Sequence, residues 1–431
     1  MKISALRPYA VRVPVKRVGH FSQARRTHIE RTLVEIETED GLVGFGETRT
    51  AGAAEIIARQ FAPVLIGQEV RDLAALRRRC LPRHFDFGYP EILLQWNAYA
   101  AIDIALWDLL GKRTGQPLYA MLGGACRDRA RYVSYEYAVD PQDGADESDV
   151  PRLMAENAAR SVAEQGTSYV EFKVGVYSVD CDIATFRAVR EKLGPSVEIG
   201  VDANMAWDME TARRFILGVA PARLDNLEEP VPDLAGMAAL AREHAVPVST
   251  HCFLLDAIRA HPDVRGIVVE PHALGGIPSM RRFVAEATAL GRRVWFRSVW
   301  ELGISWAAMC HMSVAFEELS RPSQSLFNWI GDDLIEGDAW KVRQGGVVPP
   351  PLPGLGVELD RAAVGNAVRN ALADEVPLRQ RADDLMRRAP TYGKLAQRLA
   401  MDERVSPLPE AAKQAVASRG RGGVAGMTAR S

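Results

Sequence analysis

From about residue 130 onward, short β-rich runs alternate with helical stretches, and this alternation restricts the possible folds more than any other feature of the chain. The runs begin at Arg131-Tyr-Val-Ser-Tyr, Tyr169-Val-Glu-Phe-Lys-Val, Glu198-Ile-Gly-Val-Asp and Leu224-Asp-Asn-Leu-Glu, and continue with Ala245-Val-Pro-Val-Ser-Thr-His, Gly266-Ile-Val-Val-Glu, Arg293-Val-Trp-Phe-Arg and Ser325-Leu-Phe-Asn. Most are roughly 20 to 30 residues apart, the spacing of parallel βα units. Eight such units predict an α/β chain built on a closed (β/α)8 barrel of the TIM type. An open doubly wound sheet is the alternative, but no glycine-rich phosphate loop follows any of the runs.

Residues 1–125 read as a separate α+β unit. Arg31-Thr-Leu-Val-Glu-Ile-Glu-Thr alternates like a half-buried strand, Asp40-Gly41 supplies a hairpin turn, and Leu42–Thr48 returns. A helix is predicted from Pro90 to Arg113, its apolar face formed by Leu94, Ala98, Ala101, Ile102, Ala105, Leu106 and Leu109, and Gly115 and Pro117 stop it. The barrel is expected over 126–365, ending in the Gly/Pro-rich stretch near Gly345. Residues 366–431 read as an extension, with a helix around Gly393 to Met401 and a disordered tail from Arg419.

Lys and Arg number 53 against 55 Asp and Glu among 431 residues, a formal charge of −2. A dedicated nucleic-acid binder would carry a strong basic excess, so that class is set aside. Five scattered cysteines without a CxxC pair indicate neither a disulfide framework nor a zinc knuckle. The N-terminus lacks the apolar core of a signal peptide and no long apolar run exists, which predicts a cytoplasmic protein without a membrane anchor.

Function in such barrels sits at the C-terminal ends of the strands. Those ends read Glu171-Phe-Lys173, Asp202-Ala-Asn204, Glu228-Glu-Pro, Thr250-His251, Glu270-Pro-His272 and Arg297-Ser. Asp202, Glu228 and His251 end three adjacent strands, close enough to share one divalent cation. Two carboxylates favour Mg²⁺, and the histidine would also admit Mn²⁺ or Zn²⁺. The competing reading is that each acid caps the helix after its strand. Lys173 is either a proton acceptor beside that metal or the partner of Glu171 in a simple ion pair.

Ala101-Ile-Asp-Ile-Ala-Leu-Trp-Asp-Leu-Leu-Gly-Lys, Val201-Asp-Ala-Asn, Leu227-Glu-Glu-Pro and Pro353-Gly-Leu-Gly-Val-Glu resemble the enolase superfamily of the mandelate racemase and muconate lactonizing enzyme type. Val248-Ser-Thr-His and Glu270-Pro-His bring the glucarate dehydratase branch nearest. The resemblance implies a capping domain on a modified barrel, with Mg²⁺ on Asp202, Glu228 and His251. It also places Asn204 beside metal and substrate and makes Lys173 the strand-two base. Two positions depart from the pattern. Glu171 replaces the first lysine of Lys-x-Lys, and Arg297 stands where an opposing histidine is expected, with Glu270 in place of its orienting aspartate. An arginine does not act as a base near neutral pH.

The chemistry implied is removal of a proton α to a carboxylate, followed by loss of water from an acid sugar. Glu270, Glu171 and His272 are the candidate acids for the leaving hydroxyl, and Arg297 suits the distal carboxylate of a diacid. His20, Arg25 and His28 precede the first long strand, where a lid loop would touch substrate. The alternatives are an epimerase, racemase or cycloisomerase of the same superfamily, or a catalytically silent relative with a binding or assembly role. The expected partner is a small-molecule carboxylate, with a homo-oligomer anticipated and neither nucleic acid nor membrane.

Overall fold

A three-stranded antiparallel sheet opens the chain in the computed structural model, which describes residues 1–81, 90–140, 146–331 and 333–373. Strand β1 (Ile3–Phe21) pairs with β2 (Ala24–Thr38), and β2 with β3 (Val43–Arg49), in the order β1-β2-β3. The first long strand therefore precedes the one expected at Arg31, and residues 20–28 form the tip and flanks of a long hairpin rather than a loop. The β2–β3 turn falls at Asp40-Gly41 as predicted, with Gly41 at φ 83° and Thr38 Oγ1 donating to Asp40 Oδ1 at 2.7 Å.

Helix α1 (Pro90–Thr114) crosses β3 at Gly44 and Gly46. A Cβ on Gly46 would stand 1.8 Å from the Ala101 carbonyl oxygen, so only glycine permits this approach. Ala98, Ala101, Ile102, Ala105, Leu106 and Leu109 are fully buried there. Leu94, expected on the same face, is instead 46% exposed, one turn before that buried run.

Seven parallel strands follow in chain order: β4 (Ser134–Glu136), β5 (Tyr169–Lys173), β6 (Glu198–Asp202), β7 (Asn226–Glu228), β8 (Val248–Thr250), β9 (Gly266–Val269) and β10 (Arg293–Phe296). Helices α2 (Val150–Gln165), α3 (Val179–Leu193), α4 (Met209–Val219), α5 (Leu234–His244), α6 (Leu255–Ala260), α7 (Ile277–Ala289) and α8 (Gly303–Ala315) alternate with them. Alternation along β5 sends Val170 and Phe172 outward into the helix layer, where both are fully buried, and Glu171 and Lys173 inward.

The eighth stave is not the strand expected at Ser325. Ser323 donates its amide to the Arg131 carbonyl and accepts from the Val133 amide, both at 2.9 Å, while the Gln324 amide donates to Phe296 at 2.8 Å. Two residues thus bridge the open edges, and the chain then turns into a 3-10 segment at Phe327–Trp329. The turn is held because Phe327 stacks on Trp306 and the Trp329 indole donates to the Tyr135 carbonyl.

Helix α9 (Arg361–Ala373) runs through the boundary expected at 365, burying Val364 and Ala367. The helix expected at 393–401 and the tail from 419 lie outside the described residues. All five cysteines are free thiols. No described helix is long and apolar enough to cross a membrane.

Candidate active site at the barrel mouth

The strand ends converge as the chain order implies. Asp202, Glu228 and His251 present ligand atoms that all lie within 4.8 Å of one another. None of the three caps a helix. That task falls to Ser178, Asp208 and Asp233, whose side chains accept from backbone amides in the first turns of α3, α4 and α5.

Each of these side chains is held by neighbours. Asp202 Oδ1 accepts the Asn204 amide at 2.8 Å, and its Oδ2 accepts from Lys173 Nζ and, at 3.3 Å, from the Tyr135 hydroxyl. Glu228 Oε1 lies 2.7 Å from His251 Nε2, and Gln324 Nε2 donates to Glu228 Oε2 at 2.8 Å and to Glu171 Oε1 at 2.5 Å. Glu229 Oε1 accepts from the Thr250 hydroxyl and the His251 amide, fixing the end of β8.

Burial pushes the Asp202 and Glu228 carboxyls upward in pKa, with the Lys173 charge opposing it in both. Glu171 rises further, because burial is reinforced by the charges of Glu228 and Asp202. Its Oε2 and the Asn204 Oδ1 are buried without a hydrogen-bond partner. Burial drives His251 down to about 4, which keeps the imidazole neutral and able to ligate. Two carboxylates and a neutral imidazole, with the unpaired oxygens of Glu171 and Asn204, form a donor set that suits a hard divalent ion.

Lys173 does not pair with Glu171. It bonds Asp202 and lies beneath the rings of Tyr135, Phe21 and Tyr137, at 5.4, 5.5 and 5.9 Å. Phe21 comes from the cap hairpin, whose tip is fastened to the rim. Ser22 Oγ donates to the Ala203 carbonyl at 3.0 Å, and Gln23 Nε2 to that of Asn204 at 2.5 Å.

Of the residues expected at the lid, His20 and Arg25 lie at the hairpin tip and His28 lies behind it. His20 Nδ1 meets the Val139 carbonyl at 3.3 Å, and Arg25 Nε donates to Asp140 at 2.6 Å, so both fasten the hairpin to the loop after β4. His28 lies away from the mouth, 2.9 Å from Arg12 Nη2 beside α9. The strand register decides this, since His28 pairs with Pro14 well behind the tip.

The acids expected on β9 and beyond it are already committed. Glu270, fully buried, accepts from Arg49 Nη1 and Arg297 Nη2 on Oε1 at 3.0 and 3.1 Å, and from the Ala273 amide at 2.9 Å on Oε2, which also meets His272 Nδ1 at 3.0 Å. Against the cost of burial, its bond to His272 and the two guanidiniums hold this carboxyl well below the usual range, so it carries no proton to donate. His272 is fully buried, its other nitrogen 2.7 Å from Ser305 Oγ, which leaves no ring nitrogen for substrate.

Arg49, Gln324, Tyr135, Tyr137 and Phe21 were not singled out in the sequence. Glu229 was visible within Leu227-Glu-Glu-Pro, and Gln324 directly precedes the expected eighth run. Arg49 has no local signal, because its partner lies 221 residues away.

Residues 8–123 match the family model described as the mandelate racemase / muconate lactonizing enzyme N-terminal domain, and residues 153–363 the one described as enolase C-terminal domain-like. A Streptomyces coelicolor protein described as a probable glucarate dehydratase is 30% identical over 381 residues, 82% of this chain and 88% of that one. A crystal structure of an enolase from the same species is 32% identical, with a TM-score of 0.79 over 87% of this chain and 99% of its own. An enolase from Thermobispora bispora, crystallised with magnesium and formate, is 26% identical, with a TM-score of 0.78 over 87% and 94%. With both domain models matched and this likeness running through cap and barrel, the chain belongs to the enolase superfamily, in its mandelate racemase and muconate lactonizing enzyme family.

Proposed function

We propose that this protein is a divalent-metal-dependent dehydratase of a hydroxylated carboxylic acid of the acid-sugar class, with Lys173 as its base. The observation that carries the reading is the placement of the Lys173 amine against Asp202 within the Asp202–Glu228–His251 cluster. Those three side chains would hold Mg²⁺ or Mn²⁺. When bound, the ion supplies positive charge to the substrate carboxylate and offsets the negative charge that grows there as the α proton leaves.

Lys173 Nζ takes the α proton. Asp202 and the three rings keep the amine in place. It then returns the proton to the departing β-hydroxyl, so water leaves and the enol product rearranges to a 2-keto acid. Glu270 is held ionised and His272 has both nitrogens engaged, so of the acids at the rim only Glu171 competes with Lys173 for this role. Epimerisation would need a base on the opposite face, and Arg297, which stands where the resemblance expects that base, cannot serve.

The test is release of keto acid from a panel of aldonic and aldaric acids with added Mg²⁺, using Lys173→Ala as control. Turnover that needs both metal and Lys173 supports the reading. Turnover that survives the substitution overturns the assigned base, and absence of divalent-metal binding overturns the reading as a whole.

A further inference from the structure

We infer that Arg49 and Arg297 together form the binding site for a second carboxylate, so that the substrate is a dicarboxylate and Arg49 is a specificity residue supplied by the cap. The inference rests on the dehydratase reading above. Arg49 ends β3 in the cap, Arg297 follows β10 in the barrel, and the two guanidiniums meet on one oxygen, Glu270 Oε1. Glu270 is completely buried and its other oxygen is taken by His272 and Ala273, so it is a fixed counter-charge that cannot swing away.

Two guanidiniums against one carboxylate leave a positive charge uncompensated within this trio. The arginines reach solvent while Glu270 does not: Arg49 is 38% exposed, Arg297 17% and Glu270 0%. Each arginine spends one terminal nitrogen on Glu270, and the Arg297 Nε is buried with no hydrogen-bond partner. Arg297 directly follows β10, at the same strand-end rim as Glu228 and His251. Paired guanidinium forks with unused N–H groups match the geometry of a carboxylate. A monocarboxylate held at the metal cluster would leave them facing only water.

The experiment is calorimetric titration of the Mg²⁺-loaded protein with acids matched in length: tartrate against threonate, and glucarate against gluconate. The diacid should bind at least tenfold more tightly than its mono-acid at one of the two lengths. Arg49→Gln should weaken that diacid by about ten- to a hundredfold, the value of one charged hydrogen-bonded contact, and leave the mono-acid unchanged. Arg49→Lys, which keeps the charge but not the fork, should fall between them and covers the case in which the glutamine variant does not fold. Equal binding of diacid and mono-acid at both lengths, or an equal loss for both in Arg49→Gln, overturns the inference and leaves the dehydratase reading standing. Glycolate separates the two. If its binding to the wild-type protein does not depend on Mg²⁺, the metal-centred reading itself fails and this inference fails with it.

Discussion

Lys173 and Asp202 are register partners on the neighbouring parallel strands β5 and β6, and the amine of one donates to the carboxylate of the other. The proposed base and a proposed metal ligand are therefore set side by side by backbone pairing alone, with no loop required to bring them together. Replacement of Lys173 by alanine leaves the three ligands in place. It should lower turnover by about 10² to 10⁴ while divalent-metal binding persists, as judged by keto-acid release alongside calorimetry. Loss of metal binding in the variant would mean that the amine organises the ligands instead of moving the proton.

Glu171 is poorly accommodated as an anion, being buried near Glu228 and Asp202 with one oxygen unpaired. Its proton affinity is higher folded than unfolded, so its contribution to stability is present at low pH and is lost as pH rises above the ordinary carboxylate range. Glu171→Gln keeps an acceptor for Gln324 and removes the charge. The metal-free variant should melt at a higher temperature than the parent at pH 8, with the difference shrinking towards pH 5. Equal melting temperatures at pH 8 would contradict this. Turnover of the same variant reports the leaving-group acid, since a hundredfold loss would transfer that role from Lys173 to Glu171.

Asp103, Asp182 and Asp333 are buried carboxyls that each accept backbone amides, from Ile277, Gly175 and Gly303 among others, and burial raises each to about 7. A raised carboxyl pKa means that the folded state binds more protons, so stability should fall as pH climbs from about 4 through 7. Asp103→Asn retains the acceptor for Ile277 and removes one titration. Urea unfolding between pH 5 and 8 should show a shallower decline in the variant, and an unchanged slope would count against the shift.

Arg31 and Glu47 pair at 2.7 Å with side chains 1% and 0% exposed, and Glu47 also accepts the amides of Leu302 and Ser305 at the start of α8. The cap thus supplies the N-terminal acceptor of a barrel helix. Glu47→Ala strands a buried guanidinium and two amides, and should cost about 3–5 kcal/mol in chemical denaturation. A loss below about 1 kcal/mol would show that water replaces the carboxylate there.

Much of this site was legible in the sequence because a βα barrel brings its strand ends to one rim in chain order. Asp202, Glu228, His251 and Lys173 needed only the register of an alternating pattern, and the period of the runs gave the barrel itself. The cap was legible where its turn chemistry is local, as at Asp40-Gly41, and less so at β1, whose mixed pattern lacks a clean alternation. What each acid does was decided elsewhere. Glu270 and His272 are two residues apart and bond each other, and their remaining partners, Arg49 and Ser305, are contributed by the cap and by α8. His20 and Arg25 became anchors because the β1–β2 register carried them onto the loop after β4. Local periodicity encodes which face of a strand a residue occupies, so the sequence by itself determined the barrel and which side chains reach its rim. Protonation state and reach depend on burial and on charges that arrive from distant segments, and only the tertiary structure brings those together.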